Sequence, residues 1–126
     1  MFSGIITDVG RVGRIVRGGD TRLEIRSSFD PASIDLGASI AHSGICLTVV
    51  ERLPAGWAVE ASAETLSKTT LGSWEPGTEI NLERSLKLGD EIGGHLVYGH
   101  VDGVGSVVDI RPEGDSLRFT FEAPAS

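Results

Sequence analysis

Three histidines and a single cysteine are the side chains of this 126-residue chain best suited to chemistry. Histidine carries protons near neutral pH, so His95 and His100, which flank a glycine-rich stretch, are candidate acid-base groups. In an alternative role, both would only cap the Gly93-Gly94 linker through hydrogen bonds. The three histidine positions do not match the ligand spacing of a zinc site, and His42 looks peripheral and is assigned no role.

The strand-like run that contains Cys46 places two candidate side chains on one face. Side chains alternate along a strand, so Cys46 and Thr48 point to one side and Leu47 to the other. A ligand could meet Cys46 and Thr48 together, and Ser39 or Thr48 could supply or orient a hydroxyl group. Taken singly, each is also common as an inert buried cysteine or an ordinary strand threonine. No basic neighbour that would favour the thiolate is evident, so we expect no covalent intermediate at Cys46.

Short runs rich in Val, Ile and Thr, separated by 17 glycines and five prolines, indicate an all-β fold. Alternating polar and apolar residues predict three strands, over residues 21–26, 78–83 and 117–122. Residues 45–53 and 57–62, joined by Pro54-Ala55-Gly56, predict a hairpin. Residues 63–71 predict one short helix that Gly72 ends.

Comparison of the chain with itself reveals an internal repeat at an offset of 95 residues. Positions 4–20 share seven identities with positions 99–115, where average residue usage predicts about one or two. Gly4 and Gly99 are one of these pairs. A slip of one residue adds two apolar pairs, Leu23 with Phe119 and Ile25 with Phe121. The alternative is a coincidence between two strand pairs that are both rich in Gly and Val.

The repeat predicts two units in the chain, a complete β domain over residues 1–95 and the start of a second over residues 96–126. A second unit of equal length would end near residue 190, about 64 residues beyond Ser126. Two strands cannot close a barrel, and their unpaired edges favour association or disorder. We therefore expect one whole domain followed by the opening of another.

Charge and hydrophobicity exclude several classes of partner. Eleven Lys and Arg against 18 Asp and Glu leave a formal charge of -7, the wrong sign for neutralising the phosphates of nucleic acid or an anionic membrane surface. The longest apolar runs are far shorter than the roughly 20 residues of a membrane span. The first residues lack a basic segment followed by an apolar stretch, so we expect no secretory signal. One cysteine cannot form an intramolecular disulfide. We expect a cytoplasmic protein that binds neither nucleic acid nor membrane.

Five separated segments carry a specific pattern: Met1–Ile6, Ser43–Val49, Glu64–Leu66, Asn81–Arg84 and Asp90–Gly103. In their order and spacing they resemble the riboflavin synthase α-chain family, and the resemblance covers the whole chain. It implies two similar six-stranded antiparallel Greek-key barrels, which would also account for the repeat. The chain would then hold the first lumazine-binding barrel, with one short helix, and the first strands of the second.

The resemblance also implies a reaction and an assembly. The reaction is the dismutation of two 6,7-dimethyl-8-ribityllumazine molecules, in which a four-carbon unit moves to give riboflavin and 5-amino-6-ribitylamino-uracil. Each active site would lie between the first barrel of one subunit and the second barrel of another in a trimer, with no metal and no organic cofactor. Because most of the second barrel would lie beyond residue 126, we expect this chain to bind ligand with little turnover. We also expect it to associate, and paired first barrels would give a dimer.

The residues implied to bind substrate come from three parts of the first barrel and from the repeat of its opening. They are Phe2, Gly4, Ile5, Ile6, Cys46, Leu47, Thr48, Glu60, Ala61, Ser62, Ala63, Glu64, Thr65, Gly99, His100 and Val101. Phe2 would close the site or simply seat the N-terminal strand, and Gly4 and Gly99 would let backbone approach the ligand or relieve crowding at a bulge. The candidate catalytic residues are Ser39, Cys46, Thr48, His95 and His100.

Two other functions stay open. A lumazine or flavin antenna protein of the same fold would bind the ligand without catalysis, but such proteins lose much of the Gly-Gly-His and Gly-His pattern that is intact here. A β-barrel interaction module would bind no small ligand at all.

Overall fold

Six antiparallel strands close into a barrel in the computed structural model, which describes residues 1–125. The strands are β1 (Asp8–Val16), β2 (Thr21–Arg26), β3 (Ser39–His42), β4 (Ile45–Leu53), β5 (Gly56–Ala61) and β6 (Glu79–Arg84). Their order around the barrel is β1-β2-β5-β4-β3-β6, and β1 pairs with β6 to close it. The predicted all-β Greek-key barrel is confirmed, and the predicted hairpin is β4 and β5.

Side chains from all six strands fill the barrel. Trp57 is its largest fully buried side chain, and Leu23, Ile25, Val59 and Leu82 are buried around it. Residues that alternate with these along each strand face outward. A barrel of this size has an interior just wide enough for its own side chains, so a ligand site must lie on its outer surface or at its ends.

His42 lies in the core, which corrects the prediction that it is peripheral. It ends β3, is fully buried, and accepts a hydrogen bond at Nε2 from Nε1–H of Trp57 at 3.0 Å. Its Nδ1 lies 2.9 Å from the backbone oxygen of Ile40, so the neutral ring carries its proton on Nδ1. Burial lowers the pKa of His42 to about 4.

The single α-helix within residues 1–125, α1 (Ala63–Lys68), begins where predicted and ends three residues early. Thr69 adopts an extended backbone, and its hydroxyl donates to the oxygen of Thr65 and accepts from the amide of Leu71. A 3-10 turn over Thr70–Ser73 follows and buries Leu71 in the core. No helix in this part of the chain is long and apolar enough to span a membrane.

A two-stranded sheet of β7 (Ser106–Glu113) and β8 (Ser116–Glu122) follows the barrel. Its pairs Val107 with Phe121 and Ile110 with Phe119 match the β1–β2 pairs Val12 with Ile25 and Ile15 with Leu23, at an offset of 95 in the first strand and 96 in the second. Both hairpins therefore have the same register. In each, the pairing is irregular just after the equivalent residue of the first strand, Val12 in β1 and Val107 in β7. Leu23 and Ile25 of β2 are buried in the barrel, whereas their equivalents in β8, Phe119 and Phe121, are 48% and 70% exposed.

The His42–Trp57 pair predicts a stability that falls in mild acid. In the unfolded state His42 takes up a proton as the pH falls through about 6.5, whereas in the folded state it stays neutral until about pH 4. The free energy of unfolding therefore falls by about 3 kcal/mol between neutral pH and pH 4. His42→Gln keeps an acceptor for Trp57 and removes the titration. Urea unfolding followed by tryptophan fluorescence between pH 7 and 4.5 should show a smaller pH-dependent loss for the variant than for the wild type. Equal losses in the two proteins would contradict this account.

Candidate functional site

A cleft of about 380 Å³ lies on the outside of the barrel, beside the first residues of β4. We call it the β4 cleft. Its three walls are the start of β4, the helix α1 with the residue after it, and the chain that follows the barrel. The lining residues are Ile45, Cys46, Glu64, Thr65, Lys68, Thr69, Gly99, His100, Val101 and Asp102.

The wall formed by the chain after the barrel is hydrogen-bonded to the edge of β4. The amide of Cys46 donates to the backbone oxygen of Gly99 at 3.0 Å. Pairing between β4 and β5 begins only at Val49, which is opposite Val59, so the first residues of β4 are not in register with β5. We call residues 95–101 the docked segment. This segment contacts β4 at its first residues, where β5 is not paired with β4.

Side chains along β4 alternate as predicted. Leu47 points into the core, while Cys46 is half-buried and Thr48 is exposed on the outer face. Ser39 is paired with Thr48 across β3 and β4, so these two hydroxyl residues are neighbours on that face. Only Cys46 of the four lines the β4 cleft.

The two histidines proposed as acid-base groups are separated by the structure. His100 lines the β4 cleft, and its ring centroid lies 6.3 Å from that of Tyr98. His95 is exposed outside the cleft, with Nδ1 3.3 Å from the oxygen of Leu96 and its backbone amide bonded to Ser3. Of the two histidines, His100 lines the β4 cleft and His95 does not.

Close packing at Gly99 explains why a glycine is needed there. Its φ of 81° lies in the left-handed region, and a Cβ atom would lie 2.8 Å from Cβ of Cys46 and 2.9 Å from Cε2 of Phe2. Phe2 itself is only 1% exposed. Phe2 thus packs against the docked segment and is not among the residues that line the β4 cleft.

The segment that enters α1 contributes only part of the predicted contact set. Glu64 and Thr65 line the cleft. Ser62 is the N-cap of α1, where its hydroxyl accepts from the amide of Thr65 at 3.3 Å. Ala61 is buried in the core, and Glu60, Ser62 and Ala63 are exposed outside the cleft. Side-chain contact with a ligand in the β4 cleft is therefore excluded for Ala61, as it is for Leu47.

The opening residues lie elsewhere on the same outer surface. Ile5 is 49% exposed and lines a second depression of about 590 Å³, together with Ser3, Thr7 and Glu83. Ile6 is also exposed, and Gly4 has a φ of 87°, close to that of Gly99. Of the predicted substrate-binding residues, Ile5 alone lines this second depression, and those that line the β4 cleft are Cys46, Glu64, Thr65, Gly99, His100 and Val101.

Sequence reasoning missed four residues that line the β4 cleft, Ile45, Lys68, Thr69 and Asp102. Lys68 lies one helical turn after Glu64, and Thr69 one turn after Thr65, so helical spacing could have identified both. Asp102 follows the predicted His100 and Val101. With these, the cleft offers carboxylates, an ammonium group, hydroxyls and a backbone edge, which suits a polar ligand with hydrogen-bonding edges.

A lumazine binding domain family model matches residues 3–85 of this chain. Riboflavin synthase from Brucella abortus (strain 2308) is 56% identical over 131 residues, covering 98% of this chain and 64% of the relative. Riboflavin synthase from Mycobacterium tuberculosis (strain ATCC 25618 / H37Rv) is 43% identical over 128 residues, covering 100% of this chain and 64% of the relative. The chain thus spans a little under two thirds of the length of these curated relatives.

Solved structures of LumP share the fold. The complex with 6,7-dimethyl-8-(1'-D-ribityl) lumazine has a TM-score of 0.83 and 26% sequence identity, covering 99% of this chain and 70% of that one. The riboflavin complex has a TM-score of 0.82 at the same identity, covering 99% of this chain and 68% of that one.

The packing at Gly99 predicts a local effect of adding one methyl group. Gly99→Ala should push the docked segment away from β4 and speed hydrogen exchange of the Cys46 amide, since its acceptor is the Gly99 oxygen. Gly89→Ala is the matched control, because Gly89 has a φ of 95° and a Cβ there meets nothing within 4 Å. Exchange of Cys46 should be unchanged in the control. A Gly99→Ala protein with wild-type exchange at Cys46 would show that the contact is not tight.

Proposed function

Because this chain belongs to the lumazine-binding domain family, we propose that it is the first barrel, and the start of the second, of a riboflavin synthase. The enzyme would convert two 6,7-dimethyl-8-ribityllumazine molecules into riboflavin and 5-amino-6-ribitylamino-uracil. The observation that carries this proposal is the β4 cleft, where the backbone at Cys46 and the imidazole of His100 meet beside Glu64 and Thr65. The high identity to curated riboflavin synthases supports the same activity.

In this proposal the β4 cleft holds one lumazine against the outer wall of the barrel. A flat ring system with amide-like edges is well matched by backbone groups at a strand end. Gly99 lets the docked segment pack closely enough to Cys46 and Phe2 to form one wall for that ring. The hydroxyls of Thr65 and Thr69 and the charges of Glu64 and Lys68 suit a ribityl chain, which is rich in hydroxyl groups.

The reaction needs a proton removed from the 7-methyl group of one lumazine and a nucleophile added at carbon 7 of the other. His100 is the group we assign to proton transfer, since it lines the cleft and His95 does not. Ser39 and Thr48 are placed to act only on a ligand that extends along the outer face beyond Cys46. Holding two substrates in fixed orientation would supply much of the rate, as in other reactions of two bound molecules.

We also propose the assembly and setting that this enzyme would need. Residues 96–126 would begin a second lumazine-binding barrel, supported by the register that β7 and β8 share with β1 and β2. Each active site would combine a first barrel with a second barrel of another subunit in a trimer, in the cytoplasm. The 126-residue chain alone could instead pair its first barrels in a dimer.

A ligand-binding antenna is the second candidate, favoured by the likeness to LumP in complexes with lumazine and riboflavin. LumP is 26% identical to this chain, whereas the riboflavin synthase from Brucella abortus is 56% identical. The sequence also retains Gly93-Gly94-His95 and Gly99-His100. Catalysis is therefore the better supported function.

Riboflavin binding tests the cleft directly. Titration of riboflavin with the chain should quench the ligand's fluorescence, and His100→Gln should raise the dissociation constant by about tenfold through the loss of a polar contact. His95→Gln is the control, because His95 lies outside the cleft, and it should bind as the wild type does. Wild-type affinity in His100→Gln would exclude His100 from the site, and no quenching by any of the three proteins would contradict ligand binding.

Turnover tests the proposed division of the active site between two barrels. The isolated 126-residue chain, supplied with excess lumazine, should form riboflavin at least about 100-fold more slowly than the full-length Brucella abortus relative, because only one substrate is fully held. The absorbance of riboflavin measures both rates. A comparable rate for the short chain would show that one barrel and the β7–β8 hairpin suffice.

A further inference from the structure

Glu83 is a buried carboxylate with no place in the proposed chemistry. It lies on the outer face of β6, opposite Ala41 of β3, which is in turn opposite Cys46 of β4. Outward residues of this strand should be exposed, as Glu79 is, but Glu83 is only 6% exposed. It is covered by the first residues of the chain and not by the core.

Both oxygens of the Glu83 carboxylate accept hydrogen bonds from this N-terminal stretch. Oε2 accepts from the amide of Ser3 at 2.7 Å and from its hydroxyl at 2.9 Å, and Oε1 accepts from the amide of Gly4 at 3.0 Å. Within residues 1–125 no ion pair of 4.0 Å or less involves Glu83. The carboxylate is therefore matched to these three donors, and bonds of this charge-assisted kind are stronger than neutral ones.

The residues that Glu83 holds are bonded in turn to the docked segment. Phe2 and Val97 exchange two backbone hydrogen bonds, of 2.7 and 2.9 Å, and the amide of His95 donates to the oxygen of Ser3 at 3.1 Å. Gly94 also approaches the Ser3 oxygen so closely that a side chain would collide with it. Phe2 and Ser3 thus form a short antiparallel ladder with the docked segment.

That ladder ends at the β4 cleft. The ring of Phe2 packs against Gly99, whose oxygen accepts from Cys46 and whose neighbour is His100. A continuous set of contacts therefore runs from Glu83 through Ser3 and Phe2 to one wall of the cleft. Glu83 does not line the cleft itself.

We propose that Glu83 is a positioning residue for the β4 cleft, acting through Ser3 and Phe2 to hold the docked segment and its His100 against β4. The effect on ligand binding rests on the proposed function, whereas the effect on the docked segment does not. Glu83→Gln tests both, because an amide has one accepting oxygen and would turn its NH₂ group toward one of the donors now satisfied. Glu79→Gln is the matched control, an exposed glutamate on the same strand.

Hydrogen exchange of the Val97 and Cys46 amides should be at least about tenfold faster in Glu83→Gln than in the wild type, and unchanged in Glu79→Gln. The dissociation constant for riboflavin should rise by about tenfold in Glu83→Gln only. The urea midpoint of the barrel, followed by tryptophan fluorescence, separates this local effect from a general loss of stability. A Glu83→Gln protein that matches its control in exchange and affinity overturns the proposal.

Ser3→Ala provides a milder variant if Glu83→Gln does not fold, since it removes one of the three donors. It should shift exchange and affinity in the same direction by a smaller factor. In the double variant the two effects on riboflavin affinity should be less than additive, because both changes break the same contact. Additive effects, or weaker binding with wild-type exchange at Val97 and Cys46, would overturn the route through Ser3. If the wild type binds no riboflavin, the proposed function fails and the exchange measurements still decide the positioning role.

Discussion

Closure of the barrel between its first and last strands is the constraint on which the rest of the molecule depends. Asp8 to Arg11 of β1 pair with Glu79 to Leu82 of β6 in antiparallel register. The start of β1 therefore lies beside the end of β6. The residues before β1 and those after β6 leave the barrel at the same end, which brings the N-terminal stretch, Glu83 and the docked segment together.

Closure also determines where a ligand can bind. The barrel interior is occupied by Trp57, His42 and the aliphatic side chains around them, so the surface must supply the site. The divergence of β5 from β4 before Val49 leaves a strand edge that the docked segment partly occupies. The proposed site thus combines a rigid strand from the barrel with a segment held by few hydrogen bonds. One wall of the cleft therefore depends on contacts that come from outside the barrel, at Phe2 and Ser3.

Local pattern was sufficient to predict much of the fold. Alternation placed Cys46 and Thr48 on one face of β4 and Leu47 on the other, and turn residues located the β4–β5 hairpin. Which face is buried came only from the structure, which puts Leu47, predicted to contact substrate, in the core. The resemblance to a family then supplied the barrel topology, which periodicity alone does not specify. The early end of α1 depended on one threonine hydroxyl, at Thr69, that bonds to two backbone groups at once.

Residues whose environment comes from distant parts of the chain could not be predicted in this way. His42 is buried because Trp57 packs and bonds to it from another strand, and Glu83 is buried because Ser3, 80 positions away, covers it. Among the candidate site residues, His100 and His95 are equivalent in sequence terms. Only the hydrogen bond between Gly99 and Cys46 and the ladder at Ser3 place one in the cleft and the other outside it.

The pairing of Phe2 with Val97 has a symmetry that the sequence offset makes visible. Residue 97 is the equivalent of residue 2 at the offset of 95, and each donates to and accepts from the other. The contact is isologous in form, with a local twofold axis between the two residues, as in any antiparallel bridge whose members donate to and accept from each other. In such a pair each residue is the direct neighbour of the other, so a backbone shift at Phe2 displaces Val97, and a shift at Val97 displaces Phe2.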